Sequence, residues 1–142
     1  MTIPAGSTAQ RVALIAGSGQ FPLLVAQEAK RQGASVVAFG IKGWAEPSLA
    51  SGVDAYEEIE VGALGRLITQ LKHYGVQHAI MAGKVTKEVL FHPTASFDAE
   101  TLGVLSTLKD ASVNALLGGI AQRLSREGIT LLDSSTFLKS AL

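Results

Sequence analysis

The chain has 142 residues, 47% of them apolar and 17% charged, a composition that suits one folded domain and excludes a disordered chain. Twelve Lys and Arg balance twelve Asp and Glu with no basic run, so no nucleic-acid partner is expected. Cysteine is absent, which excludes a disulfide framework, a thiol nucleophile and a Cys-ligated zinc. No apolar run approaches the roughly 18 residues of a membrane span. Residues 1–10 carry neither a basic start nor an apolar stretch, so no secretory leader is expected and the expected address is the cytoplasm.

Met1 to Gln10 reads as a flexible tail, and residues 11–142 as a single Rossmann-like α/β domain. Val12 to Ala16 is a continuous apolar run ended by Gly17-Ser18-Gly19, the pattern of a parallel strand buried on both faces. Phe21, Leu24, Val25 and Ala29 follow at helical spacing, with Pro22 in the first turn, Lys30 and Arg31 in the last, and Gly33 as the stop. Ser35 to Phe39 is a second strand, ended by Gly40. Ile41 to Gly52 is loop or irregular helix. Val53 to Ile59 is a weaker, acidic strand expected nearer an edge.

Leu64, Leu67, Ile68 and Leu71 mark an amphipathic helix that stops at Gly75, and His78 to Ala82 is the next buried strand, ended by Gly83. Val85 to Phe91 is compatible with a short helix ended by Pro93. Asp98 is expected to cap a helix carrying Leu102, Leu105 and Leu108. Val113, Leu116, Leu117, Ile120, Ala121 and Leu124 form an apolar stripe closed by Gly128. Ile129 to Leu132 is a last strand, and Ser134 to Leu142 could begin another helix. This alternation predicts an α/β, Rossmann-like layered domain with a mostly parallel sheet of about five strands.

In such folds ligands bind beyond the carboxyl ends of the strands, where the strand order reverses. Gly17-Ser18-Gly19-Gln20-Phe21-Pro22 runs from a strand into a helix, so its glycines permit close backbone approach and its helix start can receive an anion. A dinucleotide fingerprint would place a third glycine at position 22, which is proline, and an acid after the second strand, which reads Phe39-Gly40-Ile41-Lys42. A tight turn with no ligand is the plain alternative.

Gly83-Lys84-Val85-Thr86-Lys87 offers two cations and a hydroxyl after another buried strand; its alternative is an ordinary solvated helix start. Asp110 is open to a ligand role if Ser112 caps the following helix, and Asp133 reads as an N-cap. Asp54, Glu57, Glu58 and Glu60 read as a solvated strand edge, since alternation sends them to both faces. His73, His78 and His92 lack ligand spacing, and Ser18 is not in a nucleophile elbow. No catalytic acid–base pair and no metal site emerge from the residues.

The run Leu14-Ile15-Ala16-Gly17-Ser18-Gly19-Gln20-Phe21-Pro22-Leu23-Leu24 resembles the opening of the LpxI-type UDP-2,3-diacylglucosamine pyrophosphatases. Leu64 to Ile68 with Gly75-Val76, Met81 to Lys87, Lys109-Asp110, Gly128-Ile129 and Asp133 to Leu138 resemble later landmarks of that family, in the same order. The resemblance implies a Rossmann-like N-terminal domain. It implies hydrolysis of UDP-2,3-diacylglucosamine to UMP and 2,3-diacylglucosamine 1-phosphate, a step toward lipid A, with a divalent cation, typically magnesium.

It also implies a separate C-terminal domain carrying the essential acids, with substrate held between the two. These 142 residues are therefore expected to be the substrate-binding half, with Gly17, Ser18, Gly19, Gln20, Phe21, Pro22, Gly83, Lys84, Thr86, Lys87 and Asp110 toward the substrate and no catalytic or metal-ligating residue of their own. Partners are then the lipid nucleotide or its products, the C-terminal domain, and the inner face of the inner membrane as a peripheral contact through the lipid. A nucleotide- or phosphate-binding regulatory module without turnover is the alternative from a different class. An NAD-type oxidoreductase domain ranks below both for want of the ribose-holding acid.

Overall fold

A computed structural model describes residues 11–60, 62–83, 97–108 and 113–132. The strands are β1 (Arg11–Ala16), β2 (Ser35–Ile41), β3 (Ala55–Ile59), β4 (His78–Ala82) and β5 (Thr130–Leu132). The helices are α1 (Phe21–Arg31), α2 (Leu64–His73), α3 (Ala99–Ser106) and α4 (Val113–Ser125), with a 3-10 turn at Pro47–Gly52. All four strand pairings are parallel, in the order β3-β2-β1-β4-β5. The acidic strand β3 lies at one edge, as its weaker apolar pattern predicts.

The central strand is apolar throughout because both of its faces are covered. Val12, Leu14 and Ala16 join Val36, Ala38, Ile80 and Ala82 in one core layer beneath Val25, Ala26 and Ala29 of α1 and Leu49 of the 3-10 turn. Ala13 and Ile15 join Val37, Phe39 and Ala79 in the other, under Leu67, Ile68 and Leu71 of α2, Val104 of α3 and Leu124 of α4. Among the described residues no helix is long and apolar enough to cross a membrane.

Two predicted helix faces are corrected. In α1 the buried residues are Pro22, Val25, Ala26 and Ala29, at i, i+3, i+4 and i+7, while Phe21 and Leu24 are exposed. Small side chains on the inner face let α1 lie close to the sheet, and the two larger ones turn outward. In α3 the buried residues are Thr101 and Val104, with Leu108 packed on the core beyond the helix; Leu102 is 53% exposed. The Thr101 hydroxyl is tied to the turn before α2, and that attachment sets the helix rotation against the leucine pattern. The stripe predicted for α4 does face the core through Leu116, Ile120 and Leu124.

The predicted tail over residues 1–10, the short helix over 85–91 with Pro93 and the helix start at 134–142 lie outside the described residues.

Candidate functional site: the glycines at the carboxyl ends of β1 and β4

The chain lays down β1, β2 and β3 in one direction and then returns to place β4 on the other side of β1. The order reverses between β1 and β4, and their carboxyl ends open there into the loops at Gly17 and Gly83. The Gly17 N–H donates to the Ala82 carbonyl at 2.8 Å. Gly83, at φ +95°, abuts the first loop: a Cβ built on it would lie 2.8 Å from both the Gly17 carbonyl carbon and the Ser18 oxygen. Gly83 is therefore in contact with the first glycine loop, and the contact requires glycine.

This geometry changes the roles expected along the first loop. The Gly17 N–H is committed to β4, so it is not a donor toward a ligand. The N–H groups of Gly19, Gln20 and Phe21 meet no acceptor among the described residues. Gly19 takes φ +94° with open space around its Cβ position, and Gln20 is the α1 N-cap without a side-chain cap. The first turn carries no acid, and Lys30 and Arg31 sit in the last turn. An uncapped helix start of this kind favours an anion through its orphan N–H groups and its dipole. Pro22 is buried beneath this start, whereas Phe21 and Leu24 form an exposed apolar flank beside it.

At the carboxyl end of β2, in place of an acid, stands a phenol from the next strand. Tyr56 is level with Ala38 in the β2–β3 register, but its side chain leans onto Gly40. A Cβ on Gly40 would lie 1.9 Å from the Tyr56 hydroxyl oxygen and 3.0 Å from Ala45 Cβ. Burial, and then the charge of Glu58, raise the phenol's pKa above its ordinary value, so it keeps its proton at neutral pH. Sequence reasoning misses Tyr56 because only the strand register brings it over Gly40. The one local signal is Gly40 itself, which does not end the second strand as expected but lies inside it, since β2 continues to Ile41 alongside β3.

The acidic residues serve the scaffold. Asp54 accepts from the Val36 N–H at 2.7 Å and from Lys30 at 2.9 Å; these bonds hold its carboxyl below the usual range. Glu57 accepts from Gln70 at 2.7 Å and faces Arg66 at 3.8 Å. Asp98 caps α3 as predicted, accepting from the Thr101 N–H at 2.9 Å, and its other oxygen accepts from the Gly65 N–H of α2 at 2.8 Å. Arg123 bridges Glu100 and Glu127, and Glu127 also pairs with Lys72. His73 stacks edge-on against Tyr74.

Of the predicted ligand residues, Gly17 to Pro22 and Gly83 thus lie at the same carboxyl edge of the sheet, with Gly83 against Gly17 and Ser18. Lys84, Thr86, Lys87 and Asp110 lie outside the described residues, as do Asp133, Ser112 and His92. Among the described residues no group of three or more His, Asp or Glu converges as a metal-ligand set, so the magnesium implied by the resemblance has no fitted donors there.

A five-stranded parallel sheet flanked by helices, with glycine loops meeting where its strand order reverses, defines a Rossmann-like α/β domain. The chain belongs to the LpxI family: the LpxI N-terminal domain matches residues 11–141. No match is found among curated proteins. Solved structures share the fold. Bordetella bronchiseptica WbmG in complex with NAD is 18% identical over 92% of this chain and 38% of its own, with a TM-score of 0.56. The same enzyme with NAD and UDP gives 17% identity over the same shares and 0.55. Kluyveromyces lactis urea carboxylase is 16% identical over 93% of this chain, with a TM-score of 0.50. This chain spans 10% of that protein and 38% of WbmG, well under two thirds of either.

Proposed function

We propose that this domain is the substrate-binding half of a UDP-2,3-diacylglucosamine pyrophosphatase. In this reading it holds the nucleotide and pyrophosphate part of the substrate while a C-terminal domain supplies the acids that hydrolyse it to UMP and 2,3-diacylglucosamine 1-phosphate. The observation that supports it is the contact between Gly83 and the Gly17–Ser18 peptide, which places the uncapped start of α1 at the point where the strand order reverses. The donors are the N–H groups of Gly19, Gln20 and Phe21, with Lys84, Thr86 and Lys87 adding charge and a hydroxyl. Asp110 stands with them as a substrate-binding residue. In this reading the N–H groups, the two lysines and the threonine hydroxyl bind and orient a phosphate by donation and charge, and the acids that carry out hydrolysis come from the other domain.

Magnesium belongs to the proposed whole reaction, with ligands outside the described residues, and the described residues act only by binding. The proposed address is the cytoplasm, at the inner face of the inner membrane where a lipid-linked substrate is met.

Calorimetry with UMP tests this reading on the parent, Gly19→Val and Lys84→Ala, with the fold checked by circular dichroism. Gly19→Val is expected to obstruct backbone approach, and Lys84→Ala to cost about 1.5–3 kcal/mol of binding as a lost charge-assisted contact. Unchanged affinity in both folded variants would reduce the loops to simple turns. Magnesium-dependent UMP release from the lipid nucleotide is expected only when the C-terminal domain is supplied; rapid release by the 142 residues alone would overturn the division of labour.

A further inference from the structure

Tyr56 is a half-buried residue whose hydroxyl meets no hydrogen-bond partner among the described residues and is not sealed from solvent, so the O–H is open to a ligand. A phenol with its ring packed on a core and its O–H at the surface is the amphipathic group that ligand sites commonly use. This one is carried away from its own strand: the ring starts level with Ala38 and reaches Gly40, one pleat nearer the carboxyl edge. Gly40 is level with Ala16, the residue before the glycine loop, and Tyr56 packs in the same core layer as Ala16. The hydroxyl thus lies over β2 at the level of the last β1 residue before the glycine loop, and it fits only because position 40 has no side chain.

In nucleotide-binding sheets of this class, the end of the second strand is where the ribose is held, by an acid that accepts from a sugar hydroxyl. The corresponding end here has no acid, and Tyr56 reaches it from β3.

We propose that the Tyr56 hydroxyl recognises a ribose hydroxyl of the bound nucleotide, doing at the end of β2 what an acid does in dinucleotide-binding relatives of the fold. A neutral phenol can both donate and accept, so it suits a sugar hydroxyl and adds no charge beside the phosphates. This inference rests on the nucleotide reading above and adds to it a residue that reads the sugar.

Titration calorimetry with UMP and 2′-deoxy-UMP tests it on the parent, Tyr56→Phe and Gly40→Ala. The parent should prefer UMP by about 3- to 10-fold, the size of one neutral hydrogen bond. Tyr56→Phe should bind UMP weaker by that factor, bind the two nucleotides alike, and keep the parent's thermal midpoint, because no internal hydrogen bond is lost. Gly40→Ala pushes the phenol aside and should also erase the preference. If the parent binds UMP and Tyr56→Phe keeps both its affinity and its preference, the Tyr56 assignment fails while the nucleotide reading stands. If the folded parent binds neither nucleotide, both fail.

Discussion

Gly83 rests directly on Gly17: a Cβ on Gly83 would sit 2.8 Å from the Gly17 carbonyl carbon, and Gly83 itself holds φ +95°. The neighbour is backbone, which cannot swing aside as a side-chain tip can. Gly83→Ala therefore combines left-handed strain with a clash against the glycine loop. Thermal or denaturant unfolding should show a loss of about 1–3 kcal/mol. Nucleotide affinity should fall as well, since the loop must shift. An alanine variant with parent stability and affinity would show that the loops part without cost.

Thr101 is the one buried polar residue of the described core, and its hydroxyl has two partners. It accepts from the Leu64 N–H at 3.1 Å and donates to the Gly62 carbonyl at 2.7 Å. Thr101→Val keeps the shape but leaves the first N–H of α2 without an acceptor. The expected loss is about 1–3 kcal/mol by denaturant unfolding, whereas Thr101→Ser should recover most of it. Equal stability of the valine and serine variants would refute the role of the hydroxyl.

Asp98 joins two helices, one oxygen on Thr101 of α3 and the other on Gly65 of α2. Burial alone would raise its pKa, but hydrogen bonds from Thr101, Gly65 and Arg66 outweigh it and hold the carboxyl below its ordinary value of 3.8. A depressed carboxylate stabilises the fold above its unfolded-state pKa and loses that contribution as pH falls through the lower folded-state value. Asp98→Ala should cost about 1–2 kcal/mol at neutral pH as a lost cap. The gap to the parent should close as the medium is acidified below pH 3.8. A gap that stays constant with pH would assign the effect to packing.

Glu127 is held down to about 2 by hydrogen bonds from Lys72 and Arg123. Its contribution is present above its ordinary value of 4.5 and fades only as pH approaches about 2. Carboxyl-carbon NMR titration should find Glu127 still ionised at pH 3.5, and Arg123→Met should return its midpoint toward 4.5. A normal midpoint in the parent would show that solvent screens the cluster.

Much of the architecture is legible locally. Val12 to Ala16 and His78 to Ala82 read as buried strands because a run apolar on both faces suits only a covered sheet, and both end on glycines that the fold uses. Asp98 reads as a cap because a short acid before a helical run has that option built into its own backbone. Helix rotation is less local. Phe21 and Leu24 match the apolar period of α1 as well as Val25 does, yet the sheet accepts the narrow face of Pro22, Val25, Ala26 and Ala29. In α3 the anchoring of Thr101 turns Leu102 outward against the leucine pattern.

The sequence by itself determined the parallel α/β class, the glycine-ended strands and the position of the candidate loops, because hydrophobic period, run length and backbone freedom act over a few residues. Only the tertiary structure decided that β4 returns to the far side of β1. That return puts Gly83 on Gly17 and commits the Gly17 N–H to Ala82. Register likewise carried Tyr56 onto Gly40, and helix docking set Asp98 against Gly65. These contacts join residues far apart in the chain, and strand order is chosen by how whole layers bury one another, which no local pattern encodes.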